Sequence, residues 1–315
     1  MKTLLKRFLN LVLVLHFSTA TCQTIAEQLG YEKDAKLLII HADDLGVTHS
    51  ENRASIQGLE STPVNSASIM VPCPWFLEIA DYAQENKTLD LGLHLTLNSE
   101  WNFYKWAPVS SKDSVRSLVD ANGYFFDNIP EVVEKGNPEE VKIELQNQVE
   151  MALRNGIDVT HLDAHMGTAG ATKEFLKSYI SVGNEFKLPV LLDGANQSMQ
   201  DGEIKKLVKN GNQIIVDGIY TAYPTHFQEG MADFYTKTLN ELQAGLNIIL
   251  IHLAYDDEEM QAVTVEKEFW GASWRQADVD FFSSDSVRQL LRNNEITLVT
   301  WREIRDKILR KQVQH

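Results

Sequence analysis

The chain has 315 residues, with 44 acidic and 29 basic side chains and a formal net charge of −15 at pH 7. This acidic balance argues against a nucleic-acid partner, because binding to a phosphate backbone draws its affinity from a basic surface. Residues 23–315 form a chain long enough for one substantial hydrophobic core, so we predict a single domain there.

The first 22 residues have the layout of a secretory signal peptide. Three basic residues precede a mostly apolar stretch at 8–17, and a segment of small residues leads to Cys22. This pattern predicts export, with a buried amphipathic first helix as the alternative. Cys22 is then either the residue before the cut or the lipidated first residue of a lipoprotein that stays at the cell envelope. We predict no transmembrane span, because later segments lack the roughly 20 apolar residues that one requires.

Apolar runs of strand length alternate with amphipathic stretches of helix length along the rest of the chain. The predicted strands lie near residues 36–43, 66–71, 89–97, 159–165, 189–193, 213–219, 248–255 and 297–301. The clearest predicted helices span 138–155, 173–186 and 233–244. Strands that alternate with helices indicate a mostly parallel sheet. Seven or eight such units favour closure into a (β/α) barrel over an open doubly wound sheet.

Acidic and imidazole side chains gather at the predicted strand ends. The first strand ends in Asp43 and Asp44, and later strands end in His94, His165 and His252. Taken singly, each histidine fits equally well a core residue bonded to a backbone carbonyl. Barrels of this type place their chemistry at the carboxyl ends of the strands, where all five residues fall. Together they predict a divalent metal site with a general base beside it.

Side-chain alternation predicts which histidines face the barrel interior. In the strand around His94, the leucines share one face while Gly92, His94 and Thr96 share the other. His252 likewise lies opposite the isoleucines of its strand. We therefore expect both imidazoles to point inward.

Asp43 and Asp44 are neighbours, so a regular strand would send them to opposite faces. A break in the strand at Leu45-Gly46 would let both enter one site. One carboxylate would then bind the cation while the other accepts a proton. A glycosidase pair fits less well, because its carboxylates stand roughly 5 to 10 Å apart across the scissile bond.

Three polar side chains, His161, Asp163 and His165, share one face of the fourth predicted strand. At about 3.3 Å per residue, His161 and His165 are about 13 Å apart in an extended strand, so they cannot bind one ion together. His165, nearest the loop, is the predicted ligand. His161 and Asp163 either orient the ligands by hydrogen bonding or are structural polar residues beneath them.

Three motifs of the chain are similar to those of a known family. They are Ala-Asp-Asp-Leu-Gly at 42–46, Gly-Leu-His-Leu at 92–95 and Thr-His-Leu-Asp-Ala-His at 160–165. In this order and spacing they resemble the YdjC-like carbohydrate deacetylases, which include chitooligosaccharide deacetylases, over about residues 35–300. The resemblance implies a distorted (β/α) barrel, one divalent metal ion and hydrolysis of N-acetyl groups from an amino sugar or oligosaccharide.

The resemblance also implies roles for individual residues. It makes Asp43 the catalytic base, gives His252 the task of protonating the leaving amine or stabilising charge, and assigns the metal to Asp44, His94 and His165. Arg275 and Asp278 match a late segment of the family with an arginine and an acid, and a surface ion pair is the alternative. Two imidazoles favour zinc, while a carboxylate in a wet site also accepts magnesium, manganese or cobalt.

Other features bear on the substrate. The third motif continues as Met-Gly-Thr at 166–168 where many relatives carry further histidines, and Leu253 stands where relatives often have proline. Aromatic residues in the connections 98–135 and 255–285 predict a saccharide cleft, with anchoring into a local core as the alternative. An O-acetyl esterase, another amide or ester hydrolase, or a saccharide-binding barrel without turnover remain open. Asp43 favours an enzyme, because binding alone needs no base.

Overall fold

The computed structural model describes residues 23–311. The predicted signal peptide, including Cys22, lies outside the described residues. Within the described part, each helix is too short or too polar to cross a membrane.

Seven strands and thirteen helices make up the regular structure of residues 23–311. The strands are β1 (Lys36–Leu45), β2 (Ser66–Ile69), β3 (Leu91–Leu95), β4 (Leu162–Ala164), β5 (Gly218–Thr221), β6 (Gly245–Ile251) and β7 (Ile296–Leu298). The helices are α1 (Ile25–Leu29), α2 (His49–Ser61), α3 (Phe76–Glu85), α4 (Ile129–Lys135), α5 (Pro138–Arg154), α6 (Lys173–Phe186), α7 (Gly202–Asn210), α8 (Pro224–Glu229), α9 (Met231–Glu241), α10 (Glu258–Val263), α11 (Ala272–Phe282), α12 (Asp285–Asn293) and α13 (Trp301–Ile304). Short 3₁₀ turns lie at Arg116–Leu118, His165–Gly170 and Gln197–Gln200, and a π turn at Arg305–Leu309.

The seven strands form one parallel sheet in the order β4-β3-β2-β1-β6-β5, with β7 paired to the first residues of β1. The sheet curls so that its two edges approach each other. Isolated bridges from Leu162 to Val190 and from Asp193 to Val216 connect β4 to the backbone that leads into β5. The predicted distorted (β/α) barrel is therefore confirmed.

The predicted strands at 189–193 and 213–219 are wrong in detail. The first forms only isolated bridges, and β5 begins at Gly218 rather than at Gln213. The Gln213 side chain accepts a hydrogen bond from Val190 N at 2.9 Å and donates one to Leu188 O at 3.0 Å. The Gln213 side chain thus takes the place of backbone hydrogen bonds between neighbouring strands, and this wall of the barrel is irregular.

The central strand β1 separates two parts of the core. Leu38 and Ile40 pack in the cluster beneath the surrounding helices, whereas Leu37 and Ile39 pack with Trp301 in a second cluster inside the barrel. All residues of β1 after the first are buried, as expected for a parallel strand covered on both faces. Strand alternation continues the interior face through His41 to Asp43, which places these side chains above an apolar floor.

Two of the three predicted helices match closely and the third is shifted. The helix predicted at 138–155 is Pro138–Arg154, that at 173–186 is Lys173–Phe186, and that at 233–244 is Met231–Glu241. The connection 255–285, which carries part of the predicted aromatic set, contains α10 and α11. Asp257 starts α10 by accepting a hydrogen bond from Met260 N at 3.1 Å, a local cap that the sequence carries.

Candidate metal centre and active site

Both carboxylates of the early acidic pair enter the barrel because the strand breaks at Asp44 itself. Asp44 has a φ of 71°, in the left-handed region, and the register of β1 against β2 shifts between Ala42 and Leu45. Aspartate tolerates this conformation better than most residues. The predicted break at Leu45-Gly46 therefore lies one residue too late, although Gly46 also has a positive φ of 93°.

Asp44, His94 and His165 converge at the carboxyl ends of their strands, with ligand atoms within 4.8 Å of one another. Asp44 Oδ1 lies 3.3 Å from His94 Nε2 and 3.3 Å from His165 Nδ1. This oxygen is buried and lacks a hydrogen-bond partner among residues 23–311, which is costly unless a cation satisfies it. One carboxylate and two imidazoles are a donor set of catalytic metal sites. The three residues therefore fit a divalent ion.

A carboxylate lies behind each of these imidazoles. His94 Nδ1 is 2.7 Å from Asp163 Oδ1, and His165 Nε2 is 2.9 Å from Glu100 Oε2. Since a carboxylate accepts the proton of one ring nitrogen, the other nitrogen presents its lone pair towards Asp44. Asp163 is thus one of the predicted supporting residues in its orienting position. Glu100 was missed.

Burial raises the pKa of Asp163, but the imidazoles of His94 and His41 outweigh it and hold the pKa of this carboxyl below its usual range. The same group that orients His94 also accepts a hydrogen bond from His41, with Nε2 to Oδ2 at 2.7 Å. Asp163 therefore stays ionised and joins two interior histidines.

His161 occupies the layer beneath the site and is absent from the group formed by Asp44, His94 and His165. Its Nδ1 lies 2.9 Å from Thr160 Oγ1, and its ring stacks on Trp301 at 5.1 Å. A Cβ on Gly92 would lie 2.3 Å from this ring, so a glycine is required to admit it. Of the two alternatives for His161, the structure selects a structural polar residue beneath the ligands.

Asp43 and His252 lie next to each other in the wall of the cavity. His252 Nε2 lies 3.8 Å from Asp43 Oδ2, and the His252 side chain retains 17% of its exposure. Burial lowers the pKa of His252, with the nearby Arg275 guanidinium adding to the effect, so the neutral ring is favoured. Asp43 Oδ1 lies 3.2 Å from His41 Nε2, on the side away from His252.

Asp278 supports the backbone of His252 and does not pair with Arg275. It accepts hydrogen bonds from His252 N at 2.9 Å and from the Tyr235 hydroxyl at 2.5 Å. Burial raises the pKa of Asp278 to about 7. Because both Asp278 and Arg275 are buried and have separate partners, the alternative of a surface ion pair is wrong.

Arg275 reaches the site from α11. It donates from Nη2 to Asp44 Oδ2 at 2.8 Å, from Nη1 to Glu51 and from Nε to Trp270 O. Burial alone would raise the pKa of Asp44, but Arg275 and then His165 hold it well below the usual range. The guanidinium therefore keeps Asp44 charged and secures its second oxygen.

The site opens into a cavity of about 720 Å³ lined by part of the aromatic set. Trp101, Phe269 and Trp270 line it, and Trp270 is 39% exposed. Trp106 and Trp274 do not line the cavity and are buried in a local core, as the alternative described. Asn102 donates a hydrogen bond to Glu266 at 2.9 Å and so ties the two aromatic segments together.

Two polar residues at the site were missed, and only one had a signal in the sequence. His41 lies two residues before Asp43 on the same strand face, so alternation alone places it inside the barrel. Glu100 follows β3 in irregular chain. A loop has no periodicity that predicts where a side chain points.

Comparison with known proteins decides the family. The model of the family described as YdjC-like protein matches residues 37–293. The chain belongs to the YdjC-like family.

Two curated relatives align with this YdjC-like protein over almost their whole length. A protein from Thermoanaerobacter pseudethanolicus named carbohydrate deacetylase is 26% identical over 266 residues, covering 84% of this chain and 98% of the relative. A protein of the same name from Thermus thermophilus is 28% identical over 283 residues, covering 87% and 95%.

A solved structure from Enterococcus faecalis, described as a candidate cellobiose-phosphate cleavage protein, has the same fold. It superposes with a TM-score of 0.70 at 25% identity, covering 86% of this chain and 99% of that one.

Proposed function

We propose that this YdjC-like protein is a metal-dependent hydrolase that removes N-acetyl groups from amino sugars or their oligosaccharides. The observation that carries the proposal is the buried, unsatisfied Asp44 Oδ1 between two imidazole nitrogens, with the Asp43 carboxylate beside it. Relatives that are named carbohydrate deacetylase support the acetylated-sugar substrate.

Asp44, His94 and His165 would hold one divalent ion, with zinc, magnesium, manganese and cobalt all compatible with the donor set. A bound ion would polarise the acetyl carbonyl and lower the pKa of a water towards about 7. Three protein ligands leave coordination positions open for water and substrate, as in catalytic sites.

Asp43 is the general base in this proposal. Its Oδ1 is directed to His41, which leaves Oδ2 free on the cavity side to accept a proton from the attacking water. Asp43 follows Ala42 directly before Asp44 and lines the same cavity, which supports its role beside the proposed ion.

His252 lies beside the base, with Nε2 3.8 Å from Asp43 Oδ2. Because the neutral ring is favoured, its N–H first donates a hydrogen bond to the developing charge on the substrate. In this proposal the proton that Asp43 takes from the water passes through His252 to the leaving nitrogen as the C–N bond breaks, so that the product leaves as a neutral amine. Arg275 keeps Asp44 ionised throughout.

The cavity suits a saccharide. Aromatic rings such as Trp270 offer flat apolar faces, and polar groups lie at the floor of the cavity. Asn102 and Lys267 at the wall add donors for hydroxyl groups.

An acetate-release assay tests the proposal. The purified protein is incubated with N-acetylglucosamine oligomers, alone, with chelator, and after chelation with each of the four ions restored. We expect acetate release that stops with chelator and returns with metal, and none from the Asp43→Asn variant. Metal-dependent sugar binding without acetate would favour a binding protein, and release only from O-acetylated sugars would make it an esterase.

We also propose export of the mature chain, supported by the basic, apolar and small-residue pattern of residues 1–22. Fractionation of cells that produce the full chain, with mass analysis of the new N-terminus, tests this. A retained leader would contradict it, and a diacylglycerol mass on Cys22 would identify a lipoprotein.

A further inference from the structure

His41 is a fully buried histidine that the proposed reaction does not use, yet it contacts the base. Its Nε2 lies 2.7 Å from Asp163 Oδ2, 3.2 Å from Asp43 Oδ1 and 3.1 Å from Ser68 Oγ. Its Nδ1 lies 2.8 Å from Ser66 Oγ. Both ring nitrogens therefore have partners.

Hydrogen-bond accounting determines where the ring proton lies. An ionised carboxylate only accepts hydrogen bonds, so Nε2, which faces two carboxylates, must carry the hydrogen. The Ser66 hydroxyl next to Nδ1 can donate a hydrogen bond to a neutral imidazole or accept one from a protonated imidazole, so it is compatible with both states of the ring. Burial lowers the pKa of His41, but Asp163 and Asp43 outweigh it and raise the pKa to about 10, which favours the charged ring.

We propose that His41 is a positioning residue that holds the Asp43 carboxylate in its reactive orientation by sharing one imidazole N–H between Asp43 and Asp163. The proposal rests on the proposed function, in which Asp43 is the base. Through Asp163, the same imidazole also connects the base to His94, since Asp163 Oδ1 accepts from His94 at 2.7 Å.

Removal of the ring would leave two carboxylates facing each other inside the barrel. Asp43 Oδ1 would keep only two long contacts, from Ser68 Oγ at 3.4 Å and to His94 Nδ1 at 3.7 Å, and Asp163 Oδ2 would lose its 2.7 Å partner. Two negatively charged carboxylates repel each other strongly in a low-dielectric interior, so the less restrained of the two side chains would rotate away. Asp163 is held by His94, which leaves Asp43 to turn away from the reacting water.

The position of His41 excludes direct contact with substrate. The residue is fully buried one layer below Asp43, on the interior face of β1 above Leu37 and Ile39. It acts through Asp43, so its loss should lower kcat while substrate binding persists.

Two substitutions of His41 separate positioning from simple packing. In His41→Gln the side-chain amide can place an N–H near the Nε2 position, whereas His41→Leu fills the space without a donor. We expect His41→Leu to lower kcat about 100-fold or more, within the range that a general base contributes. His41→Gln should recover at least about tenfold of that loss, with KM within about threefold of wild type in both.

His161→Gln is the matched control. His161 is an equally buried histidine whose ring lies 4.9 Å from that of His41, but it bonds to Thr160 and not to Asp43. Its substitution should leave kcat within about threefold of wild type. Elemental analysis should find one metal ion per chain in all three variants.

A merely structural His41 would predict equal kcat losses for the Leu and Gln variants, or an equal loss in His161→Gln, and either result overturns the proposal. Metal loss from the His41 variants would overturn it as well.

The contact between His41 and Asp43 can also be tested without enzymatic activity. This second measurement remains valid if the wild-type protein releases no acetate, a result that would contradict the proposed function. The ¹H and ¹⁵N resonances of His41 Nε2 should shift in Asp43→Asn and stay unchanged in Glu268→Gln, and an unchanged resonance in both overturns the contact.

Discussion

Asp44 Oδ1 lies 3.3 Å from His94 Nε2 although the two residues are 50 positions apart, and Asp44 reaches this point only through a left-handed backbone conformation with φ of 71°. A non-glycine residue in this region costs on the order of 1–3 kcal/mol and persists only where its surroundings impose it. Arg275 supplies such a restraint through a 2.8 Å bond to Asp44 Oδ2. Asp43 keeps the regular inward direction of the strand, so both carboxylates line the same cavity.

Asp43→Asn should abolish acetate release while metal remains bound. The amide cannot accept a proton from water, and removal of a general base costs about 10²–10⁴ in rate. The kcat of the variant and its metal content by elemental analysis check this. Loss of the metal would mean that Asp43, rather than Asp44, is a ligand.

His94→Ala and His165→Ala should each deplete the metal, because each removes one of three protein donors. Elemental analysis after dialysis measures the effect. The control is His49→Ala, which removes a half-buried histidine that bonds to Glu78 outside the site. Full metal occupancy in either ligand variant would exclude that histidine from the coordination shell.

Glu100→Gln should weaken metal binding about 10- to 100-fold, the usual cost of losing the carboxylate behind a ligating histidine. The glutamine retains the size of the side chain but removes the charge that accepts the His165 Nε2–H. Competition with a chromogenic chelator gives the dissociation constant. Glu268→Gln, which neutralises an exposed carboxylate, serves as the control and should bind metal as wild type does.

His252→Ala should reduce kcat by about 10²-fold or more and leave the metal in place. The ring lies 3.8 Å from Asp43 Oδ2 and is absent from the group of side chains that converges on the ion site. Steady-state kinetics and elemental analysis on the same preparation measure both quantities. A parallel loss of metal would make His252 a fourth ligand.

Asp278→Asn should change how stability depends on pH. Burial raises the pKa of Asp278 to about 7 from an ordinary value of 3.8, so the folded state retains a proton that the unfolded chain releases. Its contribution is fully present below about pH 4 and is lost as pH rises through 7. At about 1.4 kcal/mol per pKa unit, the loss approaches about 4 kcal/mol.

The asparagine variant lacks this titration. Its free energy of unfolding relative to wild type should therefore increase between pH 4 and 7 and stay level above pH 7. Denaturant unfolding of both proteins across this range measures the difference. A difference that does not vary with pH would show that Asp278 is ionised throughout.

The inward direction of the candidate site residues followed from local patterns in the sequence. A period of two places His94 and His252 on the faces opposite their neighbouring leucines and isoleucines, and the structure puts both into the cavity. Strand positions were less predictable at 213–219, where a glutamine side chain takes the place of backbone pairing. Strand propensity does not predict that a side chain will take over a backbone hydrogen bond, because this bond depends on a partner 23 residues away.

The sequence alone determined three things: the alternation of strands and helices that indicates a parallel sheet, the polar residues at the strand ends, and the family. Each of these depends on neighbouring residues or on short motifs. Only the tertiary structure decided which atoms meet. The left-handed turn at Asp44, Glu100 behind His165, Arg275 on Asp44 and His41 between two carboxylates all depend on distances across the closed barrel. Periodicity specifies the face on which a side chain lies, whereas packing of the whole chain sets how far it is from residues on other strands.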